Sequence, residues 1–218
     1  MMLEKTMADY YAQRAANYDE IYQRPERQSD INEIKRQLQN FVADKDVLEL
    51  ACGTGFWTKT IVGCAQSVLA SDVNQVMLDI TAQRCQGEAI LSTALLDVFN
   101  LKLPSDRRFS TCFAGFLWSH IKREQSANLI ESLRRELGAG CSLILIDNNF
   151  VEGSSSPTAR TDHEGNTYQL REQVDGSRVE IVKNFPTDSF LRKKFSPFTR
   201  DIRISRTEYY WMMTCVLK

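Results

Sequence analysis

The sequence predicts an α/β protein whose core is a mostly parallel β-sheet. From Lys45 onward, short apolar runs alternate with longer amphipathic stretches, which is the pattern of repeated β-α units. The run CSLILID, at residues 141–147, is almost wholly apolar, as expected of a strand that is buried on both faces of a parallel sheet. A turn with two glycines follows the first apolar run, at the end of a strand where open α/β sheets bind ligands.

The predicted elements begin with an amphipathic helix over residues 4–22, which is followed by alternating strands and helices. One face of this helix carries Tyr11, Arg14, Ala15, Tyr18 and Tyr22. Asn74 is expected to cap the helix after the second strand, and Gly138 to end the helix before the fifth. The helix after Asn74 is expected to carry Val76, Met77, Ile80 and Thr81 on one face. The predicted strands are residues 46–51, 67–72, 89–94, 109–116 and 141–147, and the other helices are residues 56–65 and 122–137.

Beyond Asp147 the sequence becomes more polar and predicts a loop followed by a hairpin. Residues 153–167 are rich in Ser, Thr, Gly and Asp, which is typical of an exposed loop or a mobile lid. Asp175-Gly176, within the turn at residues 174–177, is a strong hairpin signal between alternating stretches at residues 168–173 and 178–183. A short helix over residues 186–195 and a strand over residues 208–217 complete about seven strands in a single domain, residues 1–218.

Composition and charge exclude several classes of protein. The 27 Lys and Arg residues nearly balance the 28 Asp and Glu residues, and a net charge of −1 does not favour binding to nucleic acid or to a membrane surface. No apolar run approaches the roughly 18 residues of a membrane span, and the acids near the start are unlike a signal peptide. The six cysteines form no CxxC pair and are expected to be reduced and mostly buried, in a cytoplasmic protein.

The turn at residues 52–55 predicts a ligand site. Gly53 and Gly55 permit a tight turn and leave the backbone open to a ligand beside the free N–H groups of the next helix. A dinucleotide fingerprint would need a third glycine where Thr58 stands, and the turn lacks the Lys-Ser/Thr pair of a P-loop. The candidate that remains is a nucleoside-type ligand with less phosphate than a dinucleotide or the nucleotide that a P-loop binds. Asp72, which ends the second strand, is placed either to accept hydrogen bonds from both ribose hydroxyls or to cap the helix that begins near Asn74.

Four motifs, in this order, resemble those of class I S-adenosylmethionine-dependent methyltransferases. They are VLELACGTG at residues 47–55, the acid in ASDVNQVML at residues 70–78, LLDVFNL at residues 95–101 and LGAGCSLILID at residues 137–147. The leader YYAQRAANYDEIY, at residues 10–22, is similar to the helix that precedes the core in many small-molecule members. The resemblance implies a Rossmann-like seven-stranded sheet in the order 3-2-1-4-5-7-6, with the last strand antiparallel and helices on both faces. Residues 1–44 would then form N-terminal helices and a lid, residues 45–150 the cofactor-binding core, and residues 151–218 the acceptor side.

The same resemblance implies a binding site for S-adenosyl-L-methionine, with S-adenosyl-L-homocysteine as the product. Glu49 would support the glycine loop, Asp72 would take the ribose hydroxyls, and Asp97 would accept from the adenine amino group. The backbone N–H of Val98 would meet the adenine ring, and Phe116 would line the pocket beside the reacting sulfonium. The full set of implied cofactor residues is Tyr11, Arg14, Tyr18, Glu49, Ala51, Gly53, Thr54, Gly55, Asp72, Val73, Met77, Asp97, Val98, Phe99 and Phe116.

The acceptor side is less defined by the sequence. His120 follows the fourth strand, where it would be either a base or substrate contact, or a structural hydrogen-bonding group. The other candidate acceptor residues are Trp118, Asn148, Asn149, Tyr168 and Arg171, and Trp118 would equally fit core packing. Asp147-Asn148-Asn149 offers one acid and two amides, so we expect no metal.

Methyl transfer to the N, O or S atom of a small metabolite is the function that these motifs favour. The alternatives are a non-catalytic protein that binds S-adenosylmethionine, and a methyltransferase acting on RNA or protein. Because transfer from a sulfonium is an in-line displacement, positioning and desolvation supply much of the catalysis, and no universal catalytic residue is expected. We expect a monomer or homodimer with a small-molecule acceptor and no nucleic-acid or membrane partner.

Overall fold

The apolar runs of the sequence form strands in two sheets. The computed structural model describes residues 5–173 and 175–218, so Glu4 of the predicted first helix and Val174 of the predicted turn lie outside the described residues. In chain order the strands are β1 (Asp46–Leu50), β2 (Ser67–Asp72), β3 (Leu91–Leu95), β4 (Thr111–Gly115), β5 (Ser142–Asn148), β6 (Arg160–Thr161), β7 (Thr167–Glu172), β8 (Arg178–Val182), β9 (Thr199–Arg206) and β10 (Tyr210–Leu217).

The main sheet has seven strands in the order β3-β2-β1-β4-β5-β10-β9. Strands β1 to β5 pair in parallel, β10 is antiparallel to β5, and β9 is antiparallel to β10. Numbered within this sheet alone, the order is 3-2-1-4-5-7-6, which confirms the predicted fold. The chain reverses its direction of strand addition between β1 and β4, so a crevice is expected at their carboxyl ends.

Helices cover both faces of the main sheet. They are α1 (Lys5–Gln13), α2 (Gln28–Val42), α3 (Thr58–Ile61), α4 (Gln75–Arg84), α5 (Ser126–Leu137) and α6 (Asp188–Phe195). Because neighbouring side chains of a strand point to opposite faces, Leu48 joins the core cluster of α5 and α6, whereas Val47 joins that of α2 and α3. None of the helices among the described residues is long and apolar enough to cross a membrane. The six cysteines are free, and all except Cys64 are buried.

The second sheet, β6-β7-β8, is antiparallel and packs against the N-terminal helix. Met7 and Tyr10 of α1 form a buried cluster with Val179 and Ile181 of β8. The hairpin predicted from Asp175-Gly176 therefore forms, but in a sheet separate from the main one.

Several predicted boundaries were wrong. The single helix over residues 4–22 is interrupted at Arg14: α1 ends at Gln13, and a 3₁₀ segment spans Ala15–Tyr22. The helix of residues 56–65 is reduced to the four residues of α3, and α5 begins at Ser126 instead of residue 122. Val76, predicted on the same face of α4 as Met77, is exposed, whereas Met77 is buried.

Strand β9 had no counterpart in the sequence prediction. Its sequence TRDIRISR has only two apolar residues, and most of its side chains are exposed. An edge strand pairs on one side only and often carries charged side chains, so it lacks the apolar run by which the central strands were predicted.

Candidate active site

Two cavities meet at the carboxyl ends of the parallel strands. The Asp72 cavity, of about 80 Å³, is bounded by Asp72 at the end of β2, by Ala51 and Gly53 after β1, and by Gly115 at the end of β4. The arginine cavity, of about 150 Å³, is bounded by basic side chains, by Asn148 of β5 and by the loop of residues 154–156. Four residues line both cavities, namely Tyr11, Tyr18, Phe116 and His120.

The glycine loop after β1 adopts left-handed backbone conformations. The φ angles are +51° at Ala51, +56° at Gly53 and +76° at Gly55. A Cβ on Gly53 would meet nothing within 4 Å, so this side of the loop is open to the Asp72 cavity. A Cβ on Gly55 would lie 3.0 Å from the Cα of Thr81 in α4, so this glycine allows the loop and α4 to pack closely.

Two residues other than glycine share this left-handed geometry at the ends of neighbouring strands. Ala51 follows β1, and Phe116, with a φ angle of +59°, follows β4. Both line the Asp72 cavity. Such conformations cost energy for residues with a Cβ and concentrate at ligand sites, which supports a binding role for this edge of the sheet.

Asp72 both organises the loop and faces the cavity. Its Oδ2 accepts from the backbone N–H of Gly53 at 3.0 Å, and its Oδ1 accepts from the N–H of Asn74 at 2.9 Å. Burial raises the pKa of Asp72, and the hydrogen bonds from backbone N–H groups oppose this effect. Each carboxylate oxygen can accept a further hydrogen bond, so a ligand hydroxyl can still be bound.

Asn74 does not cap α4 with its side chain, contrary to the prediction. It occupies the N-cap position, but its Nδ2 donates to the carbonyl oxygen of Ala8 at 3.1 Å. The amide thus joins α1 to the start of α4.

Glu49 lies behind the glycine loop and lines neither cavity. Its Oε2 accepts from the hydroxyl of Thr58, the first residue of α3, at 2.6 Å, which ties β1 to the helix that follows the loop. Burial, with a smaller effect from the charge of Asp72, raises the pKa of Glu49 to about 8, although the Thr58 hydrogen bond lowers it.

Thr54 connects the loop to the N-terminal segment. Its hydroxyl donates to Oδ1 of Asp19 at 2.5 Å, and the other oxygen of Asp19 forms an ion pair with Arg84 of α4. Asp19 lies in the 3₁₀ segment, so this network fixes the segment beside the glycine loop.

His120 is hydrogen-bonded at both ring nitrogens. Its Nδ1 lies 2.7 Å from the carbonyl oxygen of Val182 in β8, and its Nε2 lies 2.9 Å from the hydroxyl of Tyr11. Burial and the neighbouring charge of Lys183 lower the pKa of His120 to about 3, so the ring is neutral at physiological pH. A carbonyl only accepts, hence Nδ1 carries the proton and Nε2 accepts from Tyr11.

Basic side chains dominate the arginine cavity. Arg14, Arg24, Arg27, Arg171 and Lys183 line it, and no aspartate or glutamate of the described chain does. Lys183 is buried and already engaged: its Nζ donates to the hydroxyl of Ser119 at 2.7 Å and lies 3.3 Å from Oδ1 of Asp147. The arginines therefore supply the accessible positive charge.

The structure brings together about half of the residues that the sequence singled out. The expected cofactor residues that line the Asp72 cavity are Tyr11, Tyr18, Ala51, Gly53, Asp72, Val73, Met77 and Phe116, whereas Arg14 lines the arginine cavity. The expected acceptor residues that line the arginine cavity are His120, Asn148 and Arg171. The expected site residues that line neither cavity are Glu49, Thr54, Gly55, Asp97, Val98, Phe99, Trp118, Asn149 and Tyr168.

Three of the acceptor candidates have structural contacts instead. Trp118 is buried in the core, with its ring centroid 4.7 Å from that of Phe195. The amide of Asn149 donates to carbonyl oxygens of residues 207, 208 and 210, and the hydroxyl of Tyr168 donates to Asp162. None of the three lines either cavity, and Trp118 has the core packing that was its alternative.

Other residues at the cavities were missed from the sequence. Arg24 and Arg27 flank a proline in a polar connection, and Ser154 and Ser156 lie in the polar loop, where nothing in the local pattern distinguishes them from solvated residues. Lys183 ends an alternating stretch that predicted only a strand. The approach of β8 to residues 118–120, the segment that follows β4, makes Lys183 a site residue.

Comparison with known proteins identifies the fold and the type of domain. Residues 47–140 match a family model described as a methyltransferase domain. None of the curated proteins matches the chain. Among solved structures, a DhpI–SAH complex is 25% identical with a TM-score of 0.80, and the alignment covers 98% of this chain and 96% of that chain. The CcbJ methyltransferase from Streptomyces caelestis is 16% identical, with a TM-score of 0.68 and coverage of 95% and 97%. An S-adenosylmethionine-dependent methyltransferase from Clostridium acetobutylicum is also 16% identical, with a TM-score of 0.63 and coverage of 95% and 98%.

Proposed function

We propose that this chain is a class I S-adenosylmethionine-dependent methyltransferase and that it methylates a small molecule bound in the arginine cavity. The observation that carries the proposal is the wall of Tyr11, Tyr18, Phe116 and His120, which borders both cavities. A cofactor in the Asp72 cavity and an acceptor in the arginine cavity would meet at this wall. Residues of α1 and β7 line the arginine cavity, whose volume of about 150 Å³ favours a small acceptor over a macromolecular one.

The Asp72 cavity suits a nucleoside cofactor. The carboxylate of Asp72 has free acceptor capacity for ribose hydroxyls, and the open side of Gly53 lets a ligand approach the backbone closely. Met77 and Val73 line the same cavity with apolar surface for the ribose and adenine. The DhpI structures similar to this chain are named as complexes with SAH and with SAM and HEP, which supports the same cofactor here.

The remaining cofactor contacts follow from the neighbouring strand. Asp97 follows β3, the neighbour of β2, and its Oδ1 accepts from the N–H of Phe99 at 2.9 Å. The N–H of Leu96 donates to the backbone carbonyl oxygen of Asp72, so this turn lies beside the end of β2. We assign it to the adenine, with Asp97 and the backbone of Val98 as its polar partners.

The bound cofactor supplies an electrophilic methyl group on a sulfonium that leaves readily. The protein residues contribute position and exclusion of water. Tyr11 and Tyr18 form part of the wall that borders both cavities, and their ring centroids are 5.8 Å apart. The hydrogen bonds of His120 to Val182 and Tyr11 occupy both ring nitrogens and fix the imidazole, so we assign it an orienting role instead of that of a general base. No step in this scheme needs a metal ion.

Calorimetric titration and a transfer assay test this proposal together. The protein should bind S-adenosylhomocysteine and not NAD, and Asp72→Asn should weaken binding by about tenfold or more because one charged acceptor is lost. Asp79→Asn, on the surface of α4, is the matched control and should bind normally. Incubation with labelled S-adenosylmethionine and a low-molecular-weight metabolite extract should then label a small molecule.

Other results would point elsewhere. An Asp72→Asn variant with unchanged affinity would return Asp72 to a capping role alone. Cofactor binding without any labelled small molecule would favour a non-catalytic binding protein, and label in added RNA or protein would favour a macromolecular acceptor.

A further inference from the structure

The arginine cavity holds more positive charge than the cofactor requires. S-adenosylmethionine has a single carboxylate, and Arg14, which lies next to the shared wall on the N-terminal segment, can account for it. Arg24, Arg27 and Arg171 then remain in a cavity that no acidic side chain of the described residues lines.

These three arginines are held by neutral oxygen atoms. Arg24 donates to the carbonyl oxygen of Ser154 at 3.4 Å, and Arg27 donates to the Ser154 hydroxyl at 2.9 Å. Arg171 donates to the hydroxyl of Ser156 at 2.6 Å and to the amide oxygen of Gln169 at 2.7 Å. Within residues 5–173 and 175–218, none of the three forms a salt bridge.

Among the described residues, Arg27 is the clearest example of an arginine in this cavity without a negatively charged partner. Its guanidinium carbon lies 5.2 Å from the ring centroid of Tyr209 and 5.9 Å from that of Tyr210, which fixes the group in place. Its Nε is buried and has no hydrogen-bond partner in the described part of the chain. Arg24, Arg27 and Arg171 line one cavity and their positive charges repel one another, so a bound anion would reduce the electrostatic cost of holding them together.

The arrangement matches the chemistry of an oxyanion. Planar guanidinium groups bind carboxylate and phosphoryl oxygens through paired hydrogen bonds. The hydroxyl of Ser154 accepts from Arg27 and that of Ser156 accepts from Arg171, and each hydroxyl can donate its own hydrogen to an anion. The residues on the shared wall are uncharged, so the anionic group would lie away from the point of transfer and would hold the acceptor in position.

We propose that the methyl acceptor is a small anion whose carboxylate or phosphoryl-type group is bound by Arg24, Arg27 and Arg171. This inference rests on the proposed function, because it places the acceptor in the arginine cavity. The arginine cluster thus selects acceptors by charge, and the uncharged wall presents the acceptor to the cofactor.

Binding of anion probes to the complex with S-adenosylhomocysteine tests the proposal. Calorimetry at constant ionic strength would compare acetate and methylphosphonate with acetamide, a neutral molecule of similar size. At least one anion should bind and acetamide should not. Arg171→Gln and Arg24→Gln should each weaken anion binding about tenfold while S-adenosylhomocysteine binding stays within twofold. Arg36→Gln is the matched control, since Arg36 is exposed on α2 and pairs with Glu33.

Each outcome decides a separate question. Stronger binding of acetate identifies a carboxylate acceptor, and stronger binding of methylphosphonate identifies a phosphoryl-type one. The proposal is overturned if neither anion binds, or if the Arg24 and Arg171 variants bind the anion as tightly as the wild type does. Either result counts even when S-adenosylhomocysteine binds normally. Failure of S-adenosylhomocysteine itself to bind would instead overturn the proposed function.

Discussion

At the scale of single residues, the hydrogen bonds around His120 decide what its ring can do. Nδ1 donates to the Val182 carbonyl and Nε2 accepts from Tyr11, so the ring is neutral and its orientation is fixed by β8 and α1. A ring with a pKa of about 3 binds a proton too weakly to deprotonate an alcohol or an ammonium group efficiently. We therefore expect His120 to orient the acceptor and not to transfer a proton.

The pH dependence of turnover tests this role once an acceptor is known. Between pH 5 and 8, kcat should show no inflection that depends on His120, because the ring stays neutral throughout this range. His120→Asn should lower kcat by about tenfold or less, whereas loss of a general base costs roughly 10²-fold to 10⁴-fold. His163→Asn, in the exposed loop, is the control. A drop of 10²-fold together with the loss of an inflection near pH 6 to 7 would make His120 the base.

At the scale of elements, the N-terminal segment is part of the site because three connections hold it there. Tyr11 contacts His120, Asn74 donates to Ala8, and Asp19 links the 3₁₀ segment to the glycine loop and to α4. The sequence placed Tyr11, Arg14 and Tyr18 on one helical face, and all three do line the cavities. They do so across a break in the helix at Arg14, which the periodicity of the side chains could not reveal because the break depends on tertiary contacts.

Asp19 provides a test of this anchoring. Asp19→Asn removes the charge that pairs with Arg84 and weakens the bond from Thr54, so the segment should close less firmly over the cofactor. The affinity for S-adenosylhomocysteine should fall about threefold to tenfold, a modest loss because the ion pair is partly exposed. The thermal unfolding midpoint should change little. Glu20→Gln, the exposed neighbour in the same segment, should bind as the wild type does. Equal affinities for both variants would mean that the segment needs no such anchor.

At the scale of the whole molecule, burial on both faces made the central sheet predictable. The apolar runs of β1, β2, β4 and β5 each lie between two layers of helices, and their order followed from the motif resemblance. The edge strand β9 escaped prediction because one side is solvated. The arginine cavity was not predicted for a related reason: Arg24, Arg27 and Ser154 lie on connections that are brought together only by the packing of the folded chain.

The stability of the whole fold should depend on pH through Glu49. Its pKa of about 8 exceeds the ordinary value of 4.5, so the folded protein keeps a proton that the unfolded chain releases between these values. The contribution of Glu49 to the free energy of unfolding is therefore fully present below pH 4.5 and is lost as the pH rises through 8.

In Glu49→Gln the side chain is neutral at every pH. The unfolding midpoint of this variant, relative to the wild type without cofactor, should therefore rise between pH 5 and 9. Glu33→Gln is the control, because hydrogen bonds from Arg36 and Gln37 lower the pKa of Glu33 to about 2, outside this range. If the difference for Glu49→Gln stays constant from pH 5 to 9, the carboxyl is ionised throughout, and its contact with Thr58 stabilises the charged form.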